Sequence, residues 1–237
     1  MVDLKIVDQH DLWYVVGFIA TDGNLSKDGR HINITSKDKL HLFKIRKSLH
    51  LKSKIGAKAR GGSKLKNYHY LAFGDVEFYK YLVSIGLFAK KSCTLGSINV
   101  PDKFFPDFLR GVIDGDGCIS TWVNKNNKYH QWSIRITSAA PQFINWLKEK
   151  TEKLLLIKGR LYSCIRQNKN PIHILKFGKL PTKVIINSIY KDKNCLKLER
   201  KAKQAKRCLQ DKNKMLNYLD IVSPGAVTGS QERLKIS

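Results

Sequence analysis

One short apolar string occurs twice in this chain, and the repeat restricts the available folds more than any other feature. VGFIATDG, Val16 to Gly23, returns as RGVIDGDG, Arg110 to Gly117, and each copy is followed by the same succession of segments. Internal repetition of this kind means that the unit, not the whole chain, sets the architecture. An extended stretch ending in INITS (Ile32 to Ser36) follows the first copy, and one ending in IRITS (Ile134 to Ser138) follows the second. Ile and Thr alternate there with polar residues, the period of a half-buried strand. Helical apolar spacing comes next, at Leu40, Phe43 and Ile45 and again at Phe143, Ile144 and Leu147. Basic, turn-rich segments at 55–74 and 157–178 then read as strand pairs, each ending in Phe-Gly, and VEFYKYLVSIGLF and PTKVIINSIY read as closing helices.

The predicted fold is therefore α+β, with two pseudo-symmetric αββαββα halves, each carrying an antiparallel four-stranded sheet. Residues 1–96 form the first half and 107–210 the second. The segment 97–106, flanked by Gly96 and containing Pro101 and Pro106, reads as the linker. A Lys-rich helix is expected over Lys197 to Lys214. Residues 211–237 read as a tail, without apolar periodicity from Ser223 onward.

Charge points to the partner. The 237 residues hold 44 Lys and Arg against 19 Asp and Glu, a formal net charge of +25. Nucleic acid is the polyanion that such an excess suits, because each neutralised phosphate releases condensed counterions. A membrane partner is not expected: no apolar run approaches the roughly 20 residues that span a bilayer, and the cations are spread along the chain instead of gathered in an amphipathic anchor. The N-terminus has no signal-peptide pattern, so an intracellular or organellar location is expected. Cys93, Cys118, Cys164, Cys195 and Cys208 stand singly, without metal-ligand spacing, and read as reduced thiols.

GFIATDG and GVIDGDG resemble the LAGLIDADG motif, and the duplicated layout over roughly residues 10 to 205 is similar to the single-chain LAGLIDADG homing endonucleases. The residues themselves supply a reason. Gly17 and Ala20 in one copy, with Gly111 and Gly115 in the other, allow two apolar helices to approach closely, which would bring Asp22 beside Asp116 at the helix ends. A lone Asp at a helix end is ordinarily solvated or capping; two in matched surroundings are distinctive. Paired carboxylates repel unless a cation is shared between them, and oxygen ligands suit Mg²⁺. The resemblance implies that Asp22 and Asp116 hold the metals, helped by the carbonyls of Thr21 and Gly115. It further implies that Ser36, Ser138, Lys91 and Lys201 order water around the scissile phosphate. The acid two residues before the metal-binding one is present as Asp114 in the second copy and replaced by Ala20 in the first.

The implied function is a metal-dependent double-strand break in a long stretch of double-stranded DNA, made by a monomer. The alternative is a non-cleaving binder on the same scaffold, such as a transcription regulator or an intron maturase, for which RNA would also be a partner. The sheets would lie in the major groove. Expected readers are Asn24, Arg30, Asn33, Lys58, Arg60 and Tyr68 in the first half, with Trp122, Asn124, Gln131, Ser133, Arg135, Arg160, Ser163 and Arg166 in the second. Each of these would otherwise be a solvated or phosphate-contacting side chain. Because Asn33 and Arg135 hold equivalent places but differ, the target is expected to be asymmetric.

Overall fold

The structure, a computed structural model, describes residues 1–59, 65–165 and 170–211. The expected order of elements is present twice. The first half runs α1 (Gln9–Asp22), β1 (Gly23–Leu25), β2 (His31–Ser36), α2 (Lys39–Ser48), β3 (Ile55–Lys58), β4 (Tyr68–Gly74) and α3 (Val76–Ser84). A 3-10 turn, Asp102–Phe104, leads into the second: α4 (Phe105–Asp116), β5 (Gly117–Val123), β6 (His130–Ser138), α5 (Pro141–Leu155), β7 (Arg160–Cys164), β8 (Ile172–Phe177) and α6 (Lys179–Ile189). The first helix of the second repeat thus begins inside the 97–106 segment. One further helix, α7 (Glu199–Gln210), closes the described chain. Each half carries an antiparallel four-stranded sheet, in the order β1-β2-β4-β3 or β5-β6-β8-β7.

Local signals explain the helix starts. Asp8, Asp38 and Asp75 each accept a hydrogen bond from the backbone N–H three residues on, capping α1, α2 and α3. Pro106 and Pro141 occupy first-turn positions of α4 and α5, where no amide hydrogen is needed. The run from Leu12 to Ala20 is buried on every side, the mark of a helix enclosed by protein. α1 and α4 are the central pair around which both halves assemble.

The contact between them is made of main chain. A Cβ added at Gly17 would lie 2.1 Å from the Phe108 carbonyl oxygen, and one added at Gly111 would lie 2.1 Å from that of Tyr14. The two glycines are equivalent in the repeat, so the approach is reciprocal. Gly115 makes a further close approach, its added Cβ falling 1.9 Å from Thr21 Oγ1. Ala20, also expected at this seam, is buried and lines a cleft at its end together with Thr21.

Of the apolar positions expected on α2, Ile45 is buried and the other two are not. Leu40 and Phe43 are exposed, while His41, Leu42 and Ile45 are buried. The Asp38 cap sets the phase, and the His41 ring fits edge-on to Tyr14 and Phe18. All five cysteines are unpaired.

Gly17→Ala and Gly111→Ala are each expected to force the central helices apart and to destabilise the fold by about 1–3 kcal/mol or more, read from urea unfolding. Burial holds the His41 pKa down at about 4 against an ordinary 6.5. The unfolded chain therefore binds the extra proton first as pH falls, and stability present above 6.5 is lost towards pH 4, by about 3 kcal/mol. Asp114, a carboxyl that burial pushes up to about 6, opposes this trend. The His41 contribution is accordingly the difference between the melting-temperature profiles of wild type and His41→Gln, with wild type losing more on acidification.

Candidate active site

α1 and α4 both end at an aspartate, Asp22 or Asp116, and at each the chain passes straight into the first strand of a sheet through a glycine. The close approach of the helices brings these ends together: Asp22 Oδ2 lies 3.5 Å from where a Cβ on Gly115 would stand. A cleft of about 310 Å³ opens beside them, with Thr21, Asn24, Lys91, Asp116, Thr137 and Ser138 in its wall.

Two lysines flank the pair, and both are buried. Lys91 Nζ donates to the Gly23 carbonyl just beyond α1. Lys201 Nζ donates to the carbonyls of Ile113, Asp114 and Gly115 at 2.7, 2.7 and 3.1 Å, satisfying the open end of α4. Burial lowers both pKa values to about 8, against the pull of Asp116 and Asp22 on Lys91 and of Asp114, then Asp22 and Asp116, on Lys201. Both therefore stay charged at neutral pH. The expected residues Asp22, Asp116, Thr21, Gly115, Lys91 and Lys201 are thus assembled at one end of the helix pair.

The serines are placed differently. Ser36 Oγ accepts from the Asp38 N–H and Ser138 Oγ from the Ala140 N–H, both at 3.1 Å. Each closes the turn from second strand to helix in its own half. Ser138 also reaches the cleft wall.

Lys201 and Lys91 are held by different means. α7 and the segment before it are fastened to α4 by polar groups. The Arg110 guanidinium donates to the Ile189 and Leu196 carbonyls at 2.8 and 2.9 Å and pairs with Asp107. Asp114 accepts from the Leu198 N–H at 2.7 Å and from the Tyr14 hydroxyl at 2.8 Å. In the first repeat the equivalent positions are Val16 and Ala20, and the segment bearing Lys91 is seated through the buried Leu87, Leu95, Ile98 and Val100.

Alternation along the strands decides which side chains share the open sheet faces. In the first sheet Asn24, Asn33 and Ala72 form one cross-strand row, with Thr35, Tyr70, Tyr68 and Lys58 on the same face. Lys58 Nζ donates to Thr35 Oγ1 at 2.8 Å. In the second sheet Cys118, Arg135, Lys176 and Arg160 form the matching row, and Ser120, Ser133, Trp122, Gln131 and Tyr162 share that face. Arg135 and Lys176 thus stand where the first half has Asn33 and Ala72, Cys118 stands where it has Asn24, and Arg160 extends the row by a third cation.

Several expected readers are placed otherwise. Ser163 lies on the opposite face, its Oγ 2.9 Å from His173 Nδ1, because Arg160 fixes the phase and every second residue of β7 points away. Ser133 is on the open face but is only 1% exposed. Asn124 closes the β5–β6 loop, its Oδ1 accepting from the Asn126 N–H. Arg30 sits in the β1–β2 loop, its carbonyl accepting from the Asp75 N–H. Arg60 and Arg166 lie outside the described residues. Lys176, Tyr162, Thr35 and Tyr70 were not singled out from sequence. Lys176 is the sole charge in β8 and its Nζ stands 5.4 Å from the Trp122 ring centre; once strand registers are known, all four follow from alternation.

No protein-family model and no curated protein matches the chain. Solved structures match its fold. Meganuclease I-SmaMI, solved bound to uncleavable DNA, is 15% identical with a TM-score of 0.56, over 85% of this chain and 90% of that one. The homing endonuclease I-WcaI, solved bound to its DNA recognition sequence, is 11% identical with a TM-score of 0.57, over 84% and 87%. The N-terminal LAGLIDADG domain of DUF199/WhiA is 16% identical with a TM-score of 0.53, over 86% and 91%. The chain spans 64% of the length of full-length DUF199/WhiA from Thermatoga maritima. The chain has the LAGLIDADG fold. Among the described residues no helix is long and apolar enough to cross a membrane.

Proposed function

We propose that this LAGLIDADG-fold chain is a site-specific DNA endonuclease of the homing type, a monomer making a metal-dependent double-strand break at a long asymmetric target. The observation that carries this reading is the convergence of Asp22 and Asp116, one from each repeat, between the buried ammonium groups of Lys91 and Lys201. A net charge of +25 and two sheet faces bearing Arg, Lys, Asn and aromatic side chains supply a surface for the duplex.

The donor set fits a hard cation. Two carboxylates and the carbonyls of Thr21 and Gly115 offer oxygen alone, as Mg²⁺ prefers. No cluster of three or more His, Cys, Asp or Glu exists among the described residues, so DNA oxygens and water would complete the shell. Bound there, the cation would lower the pKa of a water and stabilise charge at phosphorus and on the leaving oxygen. The chain's own part is to hold and orient. Asp22 and Asp116 bind on behalf of both strands, and the seam at Gly17 and Gly111 fixes their spacing. Lys91 and Lys201 contribute fixed positive charge beside the backbone. The two half-sites are read by unlike faces, Asn24 and Asn33 suiting adenine and Arg135, Lys176 and Arg160 suiting guanine.

A second reading keeps DNA binding without cleavage, as in a transcription regulator, or turns the surface to RNA, as in an intron maturase. The fold is shared by the LAGLIDADG domain of DUF199/WhiA and by the meganucleases, so it does not choose between the readings; the presence of both acids favours the first.

Incubation with a randomised duplex library in Mg²⁺, with Ca²⁺ as a binding control, is expected to yield cut sites without twofold symmetry. Asp22→Asn and Asp116→Asn are each expected to reduce double-strand cleavage to below about a hundredth of the wild-type rate, with DNA binding in Ca²⁺ kept within a few-fold. Chelation with EDTA should stop cleavage reversibly. Tight, sequence-selective binding with neither strand cut in Mg²⁺ would establish the second reading instead.

A further inference from the structure

We infer that Asp114 is a positioning residue that delivers Lys201 to the site, so that one DNA strand depends on it and the other does not. The inference rests on the cleavage reading above. Asp114 is 1% exposed and lies on the face of α4 turned towards the C-terminal segment. Its Oδ2 accepts from the N–H of Leu198, the residue preceding α7, and no side chain of α7 itself caps that end. Leu198 is one turn from Lys201, whose backbone N–H returns to the Leu198 carbonyl at 3.0 Å. This bond ties the start of α7 to α4, beside the Arg110 bond to the Leu196 carbonyl two residues earlier, and fixes the first turn of α7 against that helix. From that position the Lys201 ammonium group meets three carbonyls of α4, including that of Gly115. The carboxylate is itself held in place by the hydroxyls of Tyr14, at 2.8 Å, and Tyr190, at 3.4 Å.

Among the described residues no side chain of α1 acts in this way on Lys91: its repeat has Ala20 where Asp114 stands and Val16 where Arg110 stands, and its segment is seated by apolar packing and by a backbone bond from the Phe143 N–H of α5 to the Leu95 carbonyl. An acid in one copy of the motif and an alanine in the other is then a difference in how two equivalent lysines are mounted. Loosening the polar fastening should displace Lys201 and leave Lys91 where it is.

The test uses the full chain and a duplex recovered from the randomised library by cleavage in Mg²⁺, with the two strands carrying different fluorophores, under single-turnover conditions. Asp114→Ala is expected to slow one strand by tenfold or more and the other by no more than about twofold, without a matching loss of binding in Ca²⁺. Lys201→Met should slow the same strand, and Lys91→Met the opposite one. Asp114→Ala combined with Lys201→Met should be no slower than Lys201→Met alone, as for two residues acting through one group. Asp114→Asn, which keeps an oxygen for the Leu198 N–H, should restore cutting of the affected strand to within about threefold. Should Asp114→Ala not fold, Arg110→Lys, which releases the same segment at Ile189 and Leu196, should slow that strand selectively. Equal slowing of both strands, or full additivity with Lys201→Met, overturns the inference while leaving cleavage intact. A wild-type chain that cuts neither strand overturns the cleavage reading, and this inference with it.

Discussion

The reciprocal contact of two helix backbones at Gly17 and Gly111 is the constraint on which the other features depend. Each glycine meets a carbonyl of the opposite helix, so the distance between α1 and α4 is fixed by main-chain atoms that have no rotamers to adjust. That distance sets how close Asp22 and Asp116 come. It also sets the angle between the two sheets, since β1 and β5 leave their helices directly at Gly23 and Gly117. A shift at the seam would reach the acids and both open faces at once.

Electrostatics at the helix ends would be unfavourable without the lysines. The last carbonyls of a helix carry partial negative charge, and here two such ends meet two carboxylates. Lys201 answers this directly on α4 and Lys91 answers it at Gly23. Burial costs both ammonium groups part of their basicity, yet leaves them charged near neutrality. The same lysines thus complete the fold locally and keep positive charge beside the acids, so structural and chemical roles are combined in one pair of side chains.

Much of this was legible in the sequence, and the reasons for the remainder are specific. The repeat, the strands INITS and IRITS and the two aspartates follow from pattern, because burial on one face leaves a period that a reader can count. The phase of α2 does not, since His41 is buried through its fit against Tyr14 and Phe18 and not through its hydropathy. Ser163 was assigned to the wrong face, and Lys176 and Tyr162 were passed over, for one reason: which alternate set faces outward depends on cross-strand register, and β7 and β8 are short and mixed in polarity. Ser36 and Ser138 show that matching positions in a repeat also match in local backbone chemistry, here the closing of a turn. The role of Asp114 required knowing that residues 84 positions later return to its helix face.

A joint written in backbone has a consequence for descent. Side-chain interfaces must co-vary to survive, whereas this one asks above all that Gly17 and Gly111, with Gly115 beside them, stay without a Cβ. The surrounding letters are then free to wander, and two halves born identical can drift into unlike surfaces without losing their mutual alignment. A fold held in this way tolerates wide change in sequence, in keeping with its match to a solved structure at 15% identity.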